Sequence, residues 1–448
     1  MPDFNGYMRR RILALAWPVV LEMSWFMIVN LLVTAMVGRL GAVSLAAVGL
    51  ATMVQFSSTM IFAAAGTGAA ALVARASGAG DWPRVRLITG QAIVVSLCCG
   101  FLLTLIGWQL SAHVFGLVGA EEAVATLGGE LLRIQFLSAP CLLLFSVGNA
   151  ILRGIGKTRL TLLISFVAHS MNLSVSFLLI NGIAVPTLGA SGAAWGSCAA
   201  QTAGALAVFL VLFRQRSIRL RAKQMWPLRV NVMREILAIS VPAGLEQLAM
   251  QGGRIVYTFL LAEIGAVQFA AHQIAMQVES ISFLPGFAFS IAAMTLVGQN
   301  LGRSLSHRAE QYVWQTNRMA LGSMTAMALI FFLFAEPLTR LFISDPDVVY
   351  WGSLCVKIAA LEQPTIALTY VFAGALRGAG YTKWPMYITA LGVWGVRIPV
   401  VYAALKIFHC DITAAWYITA ADFLLRSLIL WRRFRVGDWK RKELPQRD

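Results

Sequence analysis

Two glutamates stand deep inside long apolar stretches of this sequence, where a carboxyl group meets little water. Glu22 follows Pro18 by four residues, and Glu246 follows Pro242 by four. A charge at the centre of a membrane helix costs about 2.5–3.5 kcal/mol on insertion scales, so such residues are rare and mark ion or substrate pathways. A proline also loosens the helix beside each glutamate, because it removes a backbone hydrogen bond. A carboxyl there can hold a proton or face a cation, or it can be a structural group bonded to a neighbouring helix.

A second set of side chains, two of them polar, shares one face of a predicted helix. Its members follow one another at steps of four, three and four residues: His272, Met276, Glu279 and Phe283. That spacing places them on one side of a helix. The separation between Gln55 and Glu279 equals that between Glu22 and Glu246. Glu279 therefore places a carboxyl group where the first half of the chain has a neutral amide. Glu362 stands two residues before Pro364 in another apolar stretch. We predict that ion coupling uses Glu246, Glu22, Glu279 and Glu362.

The segment LRGIGKT, residues 152–158, ends like a phosphate-binding loop. Such a loop needs a glycine five positions before the glycine that precedes its lysine, and Ile151 occupies that place. A similar segment without the lysine, LRGAGYT, occurs at residues 376–382. We therefore expect no nucleotide site, and we interpret the segment as a turn at a helix end that the fold uses twice.

The elements that carry these residues are apolar and long. Hydrophobic residues make up 58% of the chain and charged residues 12%, and the mean hydropathy is +0.73. A soluble domain of 448 residues could not bury that much apolar surface. Stretches of about 20 apolar residues predict membrane-spanning helices. There are twelve: 12–37, 46–73, 87–109, 125–152, 160–181, 188–213, 235–261, 269–297, 312–335, 348–376, 384–407 and 412–433. The sequence predicts an all-α integral membrane protein with twelve transmembrane helices.

The net charge of +16 follows the loops rather than a nucleic-acid surface. Basic residues precede the first stretch, occupy every second loop and fill the tail, whereas the other loops have few. Cytoplasmic loops carry this excess of Lys and Arg. We therefore predict that both termini are cytoplasmic and that the basic segments face anionic lipid. No nucleic acid or nucleotide partner is expected.

An internal repeat divides the chain into two halves. Pro18, Glu22 and Pro140 meet Pro242, Glu246 and Pro364 when the chain is shifted by one constant separation, which we call the repeat offset. Six helices in each half give both halves the same orientation, related by a pseudo-twofold axis along the membrane normal. We predict an N-terminal lobe at 1–214, a basic cytoplasmic linker at 215–234, a C-terminal lobe at 235–436 and a basic cytoplasmic tail at 437–448, with a cleft between two six-helix bundles.

The predicted cleft has side chains that suit flat, apolar cations, because aromatic faces and methionines attract them. Aromatic residues in membrane helices also serve as lipid-facing or packing groups. The predicted substrate-binding residues are Trp25, Met27, Asn30, Gln55, Met250, Tyr257, His272, Met276, Phe283 and Phe287. The six cysteines lack metal spacing, and we expect no metal site and no cofactor.

The quoted residues place this chain near a known family. The two-by-six layout, AWPVVLE, AMVGRLGAVSLAAVGL, the stretch from Ala270 to Gly302 and the twin LRGxGxT resemble the multidrug and toxic compound extrusion (MATE) family. The resemblance implies export of organic cations or other amphipathic compounds, driven by inward flow of Na⁺ or H⁺. Many bacterial members carry an aspartate where this chain has Val33, and the family's coupling acid of helix seven falls at Met250. The family's N-lobe cation site is therefore not carried over, and Glu246 matches the coupling acid of helix seven only loosely.

We interpret the chain as a secondary active antiporter for multidrug efflux in the bacterial inner membrane, a monomer with alternating access between its lobes. A flippase for a lipid-linked saccharide is the alternative within transport, but it would favour an arginine-lined cleft, and few arginines lie at depth. An integral membrane enzyme would need clustered His or Asp near one surface, and five scattered histidines do not supply them.

Overall fold

Every secondary-structure element in the part of the chain that the structure describes is helical. The computed structural model describes residues 4–117, 119–182, 186–215 and 218–440, and these ranges contain no strand. Residues 216–217 of the predicted linker and 441–448 of the predicted tail lie outside them. The α-helices are α1 Phe4–Gly38, α2 Ala42–Ala63, α3 Ala65–Gly78, α4 Trp82–Leu117, α5 Glu122–Leu137, α6 Ala139–Ile155, α7 Thr158–Asn181, α8 Ala190–Arg214, α9 Val230–Ala262, α10 Ala266–Gly302, α11 Ser306–Leu333, α12 Ala335–Arg340, α13 Pro346–Gly378, α14 Lys383–Ala390, α15 Ile398–Lys406 and α16 Ile412–Val436.

The predicted fold class is confirmed: this is an all-α protein built from apolar helices. Among the described residues, nine helical segments are long and apolar enough to cross a membrane, or ten if the bent pair α5 and α6 is one span. The helices α9 and α13 have 33 residues each, but each carries charged side chains in its middle. The count of twelve spans therefore stays a prediction.

The helices differ in their bounds from several of the predicted apolar stretches. The first stretch, 12–37, belongs to a helix that already begins at Phe4. The second, 46–73, is two helices, α2 and α3, that meet at Ala64. The fourth, 125–152, is bent by 52° between α5 and α6. The eleventh, 384–407, contains a π-helix at Leu391–Arg397 between α14 and α15.

The bend between α5 and α6 has a local cause. Pro140 has no backbone N–H, so the carbonyl of Phe136 loses its helical partner, and the Thr104 hydroxyl donates to that carbonyl over 2.7 Å. Two neighbouring carbonyls receive donors from other helices, the Gln55 side chain on Gln135 at 3.3 Å and the Cys198 thiol on Ile134. Side chains of α2, α4 and α8 thus satisfy the broken helix, as membrane burial requires.

Contacts divide the chain into two units. The C unit consists of Met1–Trp17 and Leu245–Asp448, and the N unit is Pro18–Gly244. The chain passes between the units inside α1, after Trp17, and inside α9, after Gly244. Both crossing points lie beside the prolines within these helices, Pro18 and Pro242. The lobes and linker predicted from the sequence stay a prediction.

The internal repeat recurs in the packing of each unit. A Cβ added to Gly154 in α6 would lie 2.6 Å from the carbonyl oxygen of Ala70, and one added to Gly378 in α13 would lie 2.3 Å from that of Met294. Ala70 and Met294 are themselves separated by the repeat offset. The glycines let the LRG segments approach a neighbouring backbone closely, which is how membrane helices gain packing.

Candidate functional site

Glu22 lies in the middle of α1 and is bound on several sides within the N unit. Its carboxylate accepts a hydrogen bond from Arg153 at 2.7 Å, and the two form an ion pair. The hydroxyls of Ser165 and Thr161, both on α7, donate to it at 2.6 Å and 3.4 Å. Only 6% of Glu22 is exposed. The three helices α1, α6 and α7 therefore meet at one buried ion pair.

Glu246 has the same arrangement within the C unit. Arg377, at the end of α13, donates to its carboxylate over 2.6 Å, and Thr389 of α14 donates over 3.2 Å. In both units the arginine comes 131 residues after the glutamate and the hydroxyl residue 143 residues after it. The two ion pairs are equivalent sites of the repeat.

Sequence analysis locates these glutamates but misses their partners. The segment LRGIGKT is interpreted from the sequence only as a turn at a helix end, whereas its Arg153 forms an ion pair with Glu22. The signal is present in the sequence, because the arginines of the two LRG segments are separated by the repeat offset, as the glutamates are. When an ion pair is duplicated with its repeat, the acidic and the basic residue both recur at the same offset. The coupling roles of Glu22 and Glu246 stay predictions.

A second charged cluster lies in the C unit around Asp422. Its carboxylate accepts from Arg397 at 2.9 Å and from Arg426 at 2.6 Å. Arg397 thus pairs with a buried acid, and Asp422 and Arg426 form an intrahelical pair. Both guanidinium groups also lie over the ring of Phe423, at 5.0 Å and 4.4 Å from its centroid. Arg397 ends the π-helix, a feature often found at functional sites.

Glu279 of α10 and Glu362 of α13 complete this cluster. Glu279 is 3% exposed and Glu362 is 1% exposed. Among the described residues, one of these carboxyls can hydrogen-bond the other, and apart from that contact neither oxygen of Glu362 has a hydrogen-bond partner. The charges of Glu279, Arg397 and Arg426 all act on Glu362. The cluster therefore holds three carboxyl groups against two guanidinium groups, and a single proton or monovalent cation would balance its charge.

The N unit has neutral groups at the matching positions. Gln55 occupies the place of Glu279, and Ser138 that of Glu362, each earlier in the chain by the repeat offset. Both are bound: Gln55 donates to the carbonyl of Gln135, and Ser138 donates to the side chain of Gln201. The described residues of the N unit thus reproduce the positions of these two acids without their charge.

The predicted substrate-binding residues of the C unit fall into two groups. His272 is buried and packs edge-on against Tyr257 and Trp416, with ring centroids 5.7 Å and 5.6 Å away. Phe283 contacts the ring of Tyr370 at 6.3 Å, and Met276 packs against the hydrophobic core. Met250 and Phe287 are exposed at the surface of the unit. The structure brings His272 and Tyr257 together and leaves Met250 and Phe287 free to contact lipid or substrate.

The remaining predicted substrate residues belong to the N unit. Trp25 stacks on Phe166 with ring centroids 4.8 Å apart, and its indole N–H is buried without a hydrogen-bond partner among the described residues. Met27 and Asn30 lie further along the same helix, α1, and Gln55 is buried on α2. Their roles in substrate binding stay predictions. In the described ranges, no group of three His, Cys, Asp or Glu residues could hold a metal ion.

Comparison with known proteins places these sites in context. The family model described as MatE matches residues 18–178 and 242–403, so the two matched segments start at the two prolines. A "Probable multidrug resistance protein NorM" of Thermotoga maritima is 29% identical over 441 residues, covering 98% of this chain and 95% of that protein. The "Multidrug resistance protein PmpM" of Pseudomonas aeruginosa is 26% identical, covering 88% of this chain and 83% of that protein.

Solved structures share the fold at lower sequence identity. One is described as the outward-facing conformation of a multidrug resistance MATE family transporter of the MOP superfamily; it has a TM-score of 0.90 at 21% identity and covers 97% of each chain. A second, a MOP superfamily transporter from Pyrococcus furiosus, has a TM-score of 0.89 at 20% identity and also covers 97% of each chain.

Proposed function

Because this chain belongs to the MatE family of multi-pass membrane transporters, we propose that it is a secondary active antiporter. It exports organic cations or other amphipathic compounds in exchange for H⁺ or Na⁺. The names of its relatives support this substrate class, since several are multidrug resistance proteins. The proposal places the protein in the bacterial inner membrane as a monomer, with both termini in the cytoplasm.

The observation that carries the proposal is the pair Glu279 and Glu362. These two buried carboxyls lie within hydrogen-bonding reach of each other, and among the described residues Glu362 has no other hydrogen-bond partner. Asp422 already forms ion pairs with two arginines. The two glutamates are left to accept a positive charge from outside the protein. A coupling ion and a cationic substrate would then compete for one site, which antiport requires.

The exchange follows from charge balance in the cluster. When a proton or Na⁺ from outside binds one glutamate, the cluster becomes neutral and loses its attraction for an organic cation. When the ion leaves to the cytoplasm, the net negative charge returns and favours the cation again. A one-for-one exchange moves no net charge, so about 1.4 kcal/mol per tenfold ion gradient drives it. A second inward ion would add about 2.3 kcal/mol per 100 mV of membrane potential.

Glu246 and Glu22 fit this role less well. Each is already paired with an arginine, at 2.6 Å and 2.7 Å respectively. To bind a coupling ion, either carboxylate would have to leave its arginine, and breaking a part-buried ion pair costs free energy. We therefore assign coupling to Glu279 and Glu362.

The test is transport of a fluorescent organic cation, ethidium, in proteoliposomes with a Na⁺ gradient and a pH gradient imposed separately. Glu362→Gln and Glu279→Gln should each lower gradient-driven transport at least about tenfold, because a neutral amide neither takes up a proton nor offers a charge to Na⁺. Glu263→Gln is the matched control, since this carboxyl is exposed and pairs with Lys406 at the surface.

Two outcomes would contradict the assignment. Full gradient-driven transport by both Glu362→Gln and Glu279→Gln would remove the pair from the mechanism. A changed pH profile of transport in Glu246→Gln, with drug binding retained, would return coupling to Glu246. The wild-type response to the two gradients identifies the ion.

A further inference from the structure

The two arginine–glutamate ion pairs lie just beyond the points where the chain changes units. In α1 the chain enters the N unit at Pro18, and Glu22 follows four residues later. In α9 it enters the C unit at Leu245, and Glu246 is the next residue. In both cases the arginine belongs to the unit that the helix has just entered. The first charged side chain after each crossing is therefore bound within the new unit.

We propose that Arg153 and Arg377 are positioning residues that anchor the crossing helices α1 and α9. The proposal rests on the proposed function, because it assigns the anchors to the conformational step of transport. Each arginine holds the part of the helix beyond the proline in one register within its own unit. The part before the proline stays with the other unit and remains free to change its angle at the loosened turn.

An ion pair suits this task because it is satisfied in one register only. Shifting the helix by one residue would move the carboxylate about 1.5 Å along the axis and turn it by roughly 100°. That displacement would separate Glu22 from Arg153 and break the ion pair, whereas an apolar contact would tolerate it. The hydroxyls of Ser165 and Thr389 add a second bond to the same carboxylate in each unit. The register is thereby set by two groups from two different helices.

This role has a kinetic signature that separates it from ion coupling. An anchor acts on the movement between conformations, so its loss lowers kcat. It does not contact the substrate cluster around Glu362, so KM for the cation and the pH dependence of transport stay as in the wild type. The two anchors are equivalent in the repeat, so both should show the effect.

The test compares Arg377→Gln, Arg153→Gln and the conservative variants Arg377→Lys and Arg153→Lys in ethidium transport. Each glutamine variant should lower kcat about tenfold, with KM within about twofold of the wild type and an unchanged pH profile. Each lysine variant should restore most of the rate because it keeps the charge. A shift in the pH profile, a rise in KM that accounts for the loss, or an effect at only one of the two arginines would overturn the proposal.

A second measurement does not depend on the transported compound. Hydrogen exchange of the segment 246–257 in α9 should become faster in Arg377→Gln than in the wild type, and Arg377→Lys should restore protection. Unchanged exchange in Arg377→Gln would refute the anchor even if transport fails. Absence of any gradient-driven transport by the wild-type protein, with the exchange result as expected, would instead reject the proposed function and retain the anchor.

Discussion

At the residue scale, the two halves of this transporter differ in charge at equivalent positions. Glu279 and Glu362 of the C unit correspond to Gln55 and Ser138 of the N unit. Amide and hydroxyl groups can hydrogen-bond a substrate, but they cannot exchange a proton near neutral pH. The proposed coupling is therefore confined to one half, while the paired glutamates Glu22 and Glu246 are common to both.

Replacement of Glu279 by glutamine should weaken export of cations more than export of neutral compounds. A buried carboxylate attracts a cation, and an amide of the same shape does not. The measurement is the ratio of ethidium export to export of a neutral dye in cells and in proteoliposomes. Glu279→Asp, which keeps the charge, is the control and should keep the ratio. An equal loss for both classes of substrate would show that Glu279 does not act on the charge of the substrate.

How much of the site the sequence predicts depends on the range of the interaction. The helical face of Glu279 and the intrahelical pair of Asp422 and Arg426 were predictable, because spacing along one helix determines them. The pairing of Glu22 with Arg153 joins residues 131 positions apart. Nothing in the local pattern distinguishes an arginine that faces lipid headgroups from one that reaches a buried acid, so only the repeat itself could have indicated it.

At the element scale, glycines and breaks determine how closely the helices approach. Gly154 and Gly378 permit backbone contact at the two LRG segments. The bend after Leu137 is satisfied by side chains from α2, α4 and α8. Sequence analysis predicted the helices from their apolar length, but it could not predict the bend or the π-helix at Leu391–Arg397. The bend follows from Pro140, whose effect apolar length does not register, and nothing in the local sequence indicates the π-helix.

Gly378→Ala should destabilise the protein by about 1–3 kcal/mol, the usual cost of forcing a methyl group into a packed interface. The added Cβ would lie 2.3 Å from the carbonyl oxygen of Met294, which belongs to the backbone of α10 and cannot easily move away. The measurement is the melting temperature in detergent.

Gly322→Ala is the matched control for that substitution. Gly322 also lies inside a helix, α11, but an added Cβ would meet nothing within 4 Å. Alanine there should leave the melting temperature unchanged or raise it, since it costs less backbone entropy than glycine. Equal melting temperatures for Gly378→Ala and the wild type would show that α10 and α13 can separate without cost.

At the scale of the whole molecule, the repeat is visible in sequence, in the family match and in three-dimensional contacts. The two matched segments begin at positions 18 and 242, and the two ion pairs follow the same offset. The crossing of α1 and α9 between units was not predictable, because each helix is continuous in hydropathy through its proline. Composition indicates where a helix spans the membrane, but not which bundle either end of it joins.

The topology predicts that residue 221 faces the cytoplasm. Arg221→Cys in a background without the native cysteines should resist an impermeant thiol reagent added to intact cells, and it should react in inverted vesicles. A variant that retains only the native Cys410 supplies the matched control. Cys410 is exposed in the loop before α16, which the topology places outside. Efficient labelling of position 221 from outside would reverse the orientation of the chain.

The docking of the first residues also sets an order of assembly during synthesis. The Arg11 side chain donates to Gln299 over 3.0 Å and lies over the ring of Tyr312. Gln299 is translated 288 residues after Arg11. At about 5–20 residues per second, the start of the chain waits on the order of 15–60 s for its partners. The first segment of the C unit is thus synthesised long before the rest of that unit. The C unit is completed last although its synthesis begins first.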